Sequence, residues 1–419
     1  MIPWAFTLLA VCAAGATLVT LVRVRRPCSL AFPFMMAGWL TGEHAVFHLV
    51  AQVAATAAFV LGGALDAPAG WVGLALMVAS WVGLVLAEMR TREARPAFAA
   101  AMDEGLGTGW RDRLDPKMTT LVPQAGAPRM LRNPFGYDDS RLRIVRDVGY
   151  GDHGRRNRLD LFIPTAVSPP FPVIVQVHGG AWVIGRKEWQ GQPLLHTLAA
   201  QGWLCVAINY RLSPRATWPD HLDDVKRAIA WVHEHAAEYG GDPSFLAVVG
   251  ESAGGHLAAL TALTTDGAGA LAGPTAPDTS VSACVTFYAP FDLTDRDGLR
   301  GTASLQRLVG HLVMRSSLAE ARAQWEDASP LYRIRPDAPP FLVIQGTHDL
   351  LVYREEARRF ADELRSVSRA PVVYAEIPGA QHAFDVTKST RSLEAVRTVA
   401  EFLNYVRSTQ SATRTSTTP

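Results

Sequence analysis

The chain has 419 residues, with 40 Lys and Arg against 39 Asp and Glu and a formal net charge of +1. That balance gives no electrostatic footprint for nucleic acid or an acidic partner. The four cysteines, Cys12, Cys28, Cys205 and Cys284, have neither metal-site spacing nor disulfide-framework density and read as buried free thiols.

Hydrophobicity is unevenly spread. Residues 1–87 are nearly all apolar, whereas the remainder has the composition of a soluble enzyme large enough for a sizeable core. Residues 4–22 carry no charge and precede Arg23, Arg25 and Arg26. Charges after the apolar run, rather than before it, favour an uncleaved membrane helix over a signal peptide. Residues 45–65 and 71–87 make two further spans, with residues 30–40 as an interfacial lead-in to the first of them. Trp4, Trp39 and Trp71 stand near span ends, where interfacial aromatics collect.

With three spans, Arg23/Arg25/Arg26 and Arg90/Arg92/Arg95 fall on the same side. The rule that cytoplasmic loops collect Lys and Arg then predicts a cytoplasmic catalytic part. Glu43, His44 and His48 interrupt the apolar region. Two histidines at i, i+4 share a helix face, but no third ligand is near, so polar groups satisfied by neighbouring helices are the expected reading.

Residues 88–140 change character, being charged and proline-bearing, and read as a linker or possible cap with a short amphipathic helix at 91–104. From residue 141 strands and helices alternate as in a doubly wound α/β sheet. Strands are predicted at 142–148, 158–163, 172–177, 203–209, 245–249, 284–288, 341–346 and 372–377. Helices are predicted at 193–201, 222–239, 354–366 and 393–406. Residues 265–280 read as a surface loop, 295–332 as a partly helical segment over the substrate pocket, and 408–419 as a disordered Ser/Thr-rich tail.

The chemistry centres on Gly250-Glu-Ser252-Ala-Gly254, between a strand and a small-residue helix. In that setting G-x-S-x-G predicts a nucleophile on a strained turn, with glycines where a side chain would collide. His178-Gly179-Gly180 follows a buried strand. The N–H groups of Gly179, Gly180 and Ala253 are predicted to form an oxyanion hole. Asp349, after the strand at 341–346, and His382, after the strand at 372–377, supply an acid and a base in the order Ser, Asp, His. His348 is a weaker base, since it adjoins Asp349.

With these motifs in hand, residues 141–407 resemble the α/β-hydrolase fold, and within it the hormone-sensitive-lipase-like bacterial esterases and the carboxylesterases. The matching segments are His178-Gly-Gly-Ala-Trp182, Tyr210-Arg-Leu-Ser-Pro214, His221-Leu-Asp-Asp224 and Gly250-Glu-Ser-Ala-Gly-Gly255, together with Asp349 and His382. The resemblance implies Ser252 as nucleophile, His382 as general base and acid, Asp349 as its partner, and structural roles for Arg211 and Asp224. Ala181 stands where that family carries a third glycine. His-Gly-Gly-x-Trp is shared with kynurenine-formamidase-like and feruloyl-esterase-like hydrolases, which leaves ester and formamide substrates both open.

The layout also resembles membrane-anchored actinobacterial lipases and esterases. The expectation is therefore a membrane-anchored serine hydrolase acting on small-molecule or lipid esters through an acyl-enzyme, without metal or cofactor. Arylformamidase or amidase action, or acyl transfer to a lipid acceptor, are the alternatives.

Overall fold

The structure is a computed structural model, and the residues it describes are 1–23, 31–114, 136–137, 140–264, 277–299 and 304–416. Arg25, Arg26, Cys28, the surface loop over 265–276, the proline-bearing linker over 115–135 and the last three residues of the tail lie outside them.

Four helices open the chain: α1 (Ile2–Leu21), α2 (Ala31–Glu43), α3 (Ala45–Leu61) and α4 (Pro68–Thr91). Two stretches, Ile2–Leu21 and Pro68–Leu106, are long and apolar enough to cross a membrane. The α2–α3 pair passes the same test only jointly and is bent by 90° at Glu43 and His44. The expected lead-in before residue 45 is thus a full helix turned across the next one. Small residues bring α1 and α4 together: a Cβ on Gly83 would lie 2.6 Å from Thr17 Cγ2, and one on Gly73 3.2 Å from the Thr7 Cα. Thr17 Oγ1 and Ser80 Oγ share a buried 2.7 Å hydrogen bond, the kind of polar tie that serves where lipid supplies no hydrophobic drive.

Residues 142–377 build an eight-stranded sheet in the order β1-β2-β4-β3-β5-β6-β7-β8. Its strands are β1 (Leu142–Gly149), β2 (Arg158–Pro164), β3 (Phe171–Val177), β4 (Leu204–Ile208), β5 (Gly241–Glu251), β6 (Ala283–Phe287), β7 (Phe341–Gly346) and β8 (Val372–Ile377). β2 runs antiparallel to β1 and β4, and the pairs from β4 to β8 are parallel. β3, β4 and β6 are buried along their whole length, because helices cover both faces. The helices of this region are α5 (Ala94–Leu106), α6 (Gln192–Ala200), α7 (Asp220–His235), α8 (Ala253–Leu263), α9 (Ser304–Leu308), α10 (Arg322–Asp327), α11 (Arg354–Val367) and α12 (Thr390–Ser416).

Residues 88–140 were expected to be a linker or possible cap with a short amphipathic helix at 91–104; that helix is α5, which follows closely on α4 and lies directly on β8. Phe98, Met102 and Leu106 of α5 are buried in the same core cluster as Val373 and Ala375. A Cβ on Gly105 would lie 2.8 Å from Val373 Cγ2, so the helix approaches the strand as closely as glycine permits. The tail expected to be disordered from residue 408 continues α12 to Ser416. Thr409 Oγ1 donates to the Tyr405 carbonyl, and Gln410 Nε2 to the Ser282 carbonyl at 3.1 Å, which anchors a turn that composition alone would not hold. Cys205 and Cys284 are buried as expected, whereas Cys12 is exposed on α1.

Candidate active site

β5 ends at Glu251, α8 begins at Ala253, and Ser252 between them has φ 53° and ψ −121°, a conformation that a non-glycine residue holds only under constraint. The constraint is packing. A Cβ on Gly254 would collide with the Val177 and His178 carbonyl oxygens, and one on Gly250 with the backbone of Gly254. The Ser252 N–H is fixed to the Phe287 carbonyl of β6 at 2.9 Å.

His382 sits on the loop between β8 and α12. Its Nε2 is 2.9 Å from Ser252 Oγ and its Nδ1 2.8 Å from Asp349 Oδ2. An ionised carboxylate only accepts, so Nδ1 carries the proton and Nε2 turns its lone pair toward the hydroxyl. Asp349, on the loop after β7, is saturated with donors. Oδ1 accepts the Leu351 and Val352 N–H groups at 2.8 and 2.9 Å, and Gln345 Nε2 donates to Oδ2 at 3.0 Å. The structure therefore brings together Ser252, His382 and Asp349 from the ends of three strands. His348 is elsewhere, its Nδ1 facing Gly379.

Of the three predicted oxyanion donors, Ala253 is the first residue of α8, where an N–H has no helical carbonyl behind it. Gly180 has φ 118°, and a Cβ there would collide with the Ile184 carbonyl, so that position admits glycine alone. Gly179 packs on the elbow, where a Cβ would lie 3.0 Å from Ser252 Cβ, but its N–H already donates to Gln190 Oε1 at 2.5 Å.

His178 is buried, its ring stacked 4.4 Å from Tyr210, and burial pushes its pKa down to about 4. As a neutral ring it donates from Nδ1 to the Gly179 carbonyl and so shapes the glycine loop. Arg211 grips Asp224 with Nε and Nη2, each at 2.9 Å.

Sequence reasoning missed the polar floor of the site. Tyr288 packs 4.4 Å from the His382 ring and donates its hydroxyl to Asp385. Glu251, inside the pentapeptide, accepts from Gln176 Nε2 at 2.7 Å. Burial and the nearby Asp385 carboxylate raise the Glu251 pKa well above the usual range, and burial raises that of Asp385 to about 6. Glu251 was visible in the motif; Asp385, three residues past His382, carried no pattern of its own. Among the described residues no His, Cys, Asp and Glu cluster suited to a metal ion occurs.

Fold and site together define a hydrolase of the α/β-hydrolase class. The BD-FAE family profile matches residues 159–364. The probable carboxylic ester hydrolase LipM of Mycobacterium tuberculosis is 42% identical over 348 residues, covering 80% of this chain and 78% of LipM. Esterase LipQ of the same organism is 34% identical over 399 residues, 94% of this chain and 88% of LipQ. Among solved structures, the propionate-bound esterase Est2 of Thermogutta terrifontis superposes with a TM-score of 0.52 at 26% identity, covering 64% of this chain and 94% of Est2. The chain belongs to the α/β-hydrolase serine esterases and is a carboxylic ester hydrolase.

Proposed function

We propose that the protein is a membrane-anchored esterase working through a Ser252–His382–Asp349 triad. The carrying observation is the unbroken line from Asp349 through His382 to Ser252 Oγ, with both links at hydrogen-bond length. Ser252 Oγ attacks the ester carbonyl while His382 Nε2 takes its proton and passes it to the leaving alcohol. Water, deprotonated by the same nitrogen, then releases the acid from the acyl-enzyme. Asp349 holds the imidazole tautomer and stabilises the imidazolium. Ala253 and Gly180 offer N–H groups to the tetrahedral oxyanion, and Gly179 joins them when its N–H leaves Gln190. Each such donor is worth roughly 3–4 kcal/mol in the transition state. A fluorophosphonate probe tests the assignment. Wild type is expected to label and Ser252→Ala not to; equal labelling of both would overturn it.

The anchoring reading rests on α1, α4 and the bent α2–α3 pair, taken as three crossings. Arg23 meets Glu355 of the hydrolase at 2.7 Å, and Arg90 at the end of α4 donates to the Leu21 carbonyl. Both arginines therefore stand at the catalytic end of the helices, which supports a cytoplasmic catalytic domain. Cysteines introduced at Asp66, exposed in the turn between α3 and α4, and at Thr409 are expected to label from the outside and inside respectively. Outside labelling at Thr409 would reverse the sidedness.

A further inference from the structure

The ester chemistry leaves one polar feature of the N-terminal helices unused. Glu43 and His44, at the 90° break between α2 and α3, point into the hydrolase rather than at each other's helix. Glu43 Oε1 pairs with Arg391 Nη1 at 2.8 Å, and its Oε2 accepts from Ser389 Oγ at 2.7 Å. The two charged side chains are 1% and 3% exposed, so this is a fully desolvated ion pair. Arg391 Nε donates to the Pro378 carbonyl at 3.0 Å, while His44 Nε2 meets Thr387 Oγ1 at 2.8 Å. One turn earlier in α2, a Cβ on Gly38 would lie 3.1 Å from Gln381 Nε2.

All these partners, Pro378, Gln381, Thr387, Ser389 and Arg391, belong to or flank one segment: the β8–α12 loop that carries His382. Arg391 ties the start of that loop to its end, and Glu43 supplies the charge that holds Arg391 there. We propose that Glu43 is a positioning residue for His382, acting through Arg391, so that the α2–α3 elbow is a working part of the active site. The inference rests on His382 being the catalytic base.

The physical ground is the sensitivity of both sides. Unpairing a buried charge is heavily penalised, and a displaced Arg391 releases the Pro378 carbonyl as well. A triad histidine must hold its geometry to within a fraction of an ångström, and 1 Å of misplacement can cost about 100-fold in rate. Asp385 in the same loop and Glu88 of α4 lie within electrostatic reach of Glu43. Without its pair to Glu43, Arg391 therefore has competing carboxylates toward which to move. The Arg23–Glu355 pair also joins the two regions, yet it is partly exposed and binds Glu355 of α11 rather than a residue of the loop. It serves as the control.

The experiment uses the full chain in detergent, assayed with p-nitrophenyl butyrate and with a fluorophosphonate as a reporter of Ser252 reactivity. Glu43→Gln is expected to lower kcat and the labelling rate together by at least 10-fold with KM within twofold, and Glu43→Asp to recover most of the loss. Arg23→Ala should change both rates less than twofold. Glu43→Gln behaving like Arg23→Ala, or losing activity only in proportion to active sites titrated, overturns the proposal. Should Glu43→Gln fail to fold, Thr387→Val cuts the His44 tie without unpairing a charge. It should lower kcat roughly 3- to 10-fold at constant KM, and wild-type kcat there overturns the proposal in its place. Ser252→Ala separates the two readings. If it still labels, the triad assignment fails; if it does not label while the Glu43 and Thr387 variants keep wild-type rates, only this inference fails.

Discussion

The two halves of this chain spend their apolar residues in opposite ways. In the hydrolase, β3, β4 and β6 bury every side chain, and few large hydrophobics are exposed, Val167 and Trp189 among them. In α1, α3 and α4, Leu8, Leu18, Val50, Trp71, Val82 and Leu86 all face outward. An apolar surface of that extent is stable in lipid and a liability in water. Two polar clusters stand out against that background: the bundle's buried Glu43–Arg391 ion pair lies at the seam with the hydrolase, and Glu251 and Asp385 are buried beside Ser252 and His382.

The contrast can be broken at several points. The largest effect is expected at the elbow. Ser252→Ala should lower kcat by at least about 10⁴-fold with little change in melting temperature, read by ester hydrolysis and thermal unfolding. Asp349→Asn keeps the shape but stabilises the wrong imidazole tautomer and is expected to cost about 10⁴-fold in kcat. Next come lysines placed on the two outer surfaces. Val82→Lys on α4 should weaken membrane integration by roughly 2.5–3.5 kcal/mol, read as protein released from membranes by carbonate. Val167→Lys on the hydrolase should stay within about 0.5 kcal/mol of wild type in denaturant unfolding. Equal, negligible effects from the two lysines would mean that α4 faces water.

The last effect concerns pH. Burial raises the Asp385 pKa to about 6, above the usual 3.8. A raised carboxyl pKa stabilises the fold fully below the unfolded value, and that contribution is lost as pH rises through about 6. Asp385→Asn should therefore remove roughly 1–3 kcal/mol of pH dependence between pH 4 and 7, read from melting curves across that window. A variant whose melting temperature keeps the wild-type pH slope would show that Asp385 titrates normally.

Much of this was legible because it is written locally. The alternation of strand and helix, the glycines flanking Ser252 and the placement of Asp349 and His382 after strands all follow from short-range sterics and period. Each strand was predicted within a few residues of its place, β5 least well, because Gly241 and Pro243 disguise its start. α5 was expected as a short amphipathic helix at 91–104, but not its packing on the sheet, because its burying face is small, with Ala94 and Ala101 beside Phe98, and only the surface of β8 shows what that face covers. Gln345, Tyr288 and Asp385 could not be found from pattern, since each gains its meaning from a partner far along the chain or from the fold of a loop.

By itself, then, the sequence determined the α/β-hydrolase architecture, the strained serine turn and the apolar N-terminal helices, all consequences of residue type and spacing. The tertiary structure alone decided that Gly179 is held by Gln190, that two buried carboxylates lie beneath the reacting groups, and that Glu43 reaches Arg391. Those are contacts between positions as much as 348 residues apart, set by how the helices pack on the sheet, and no local propensity encodes them.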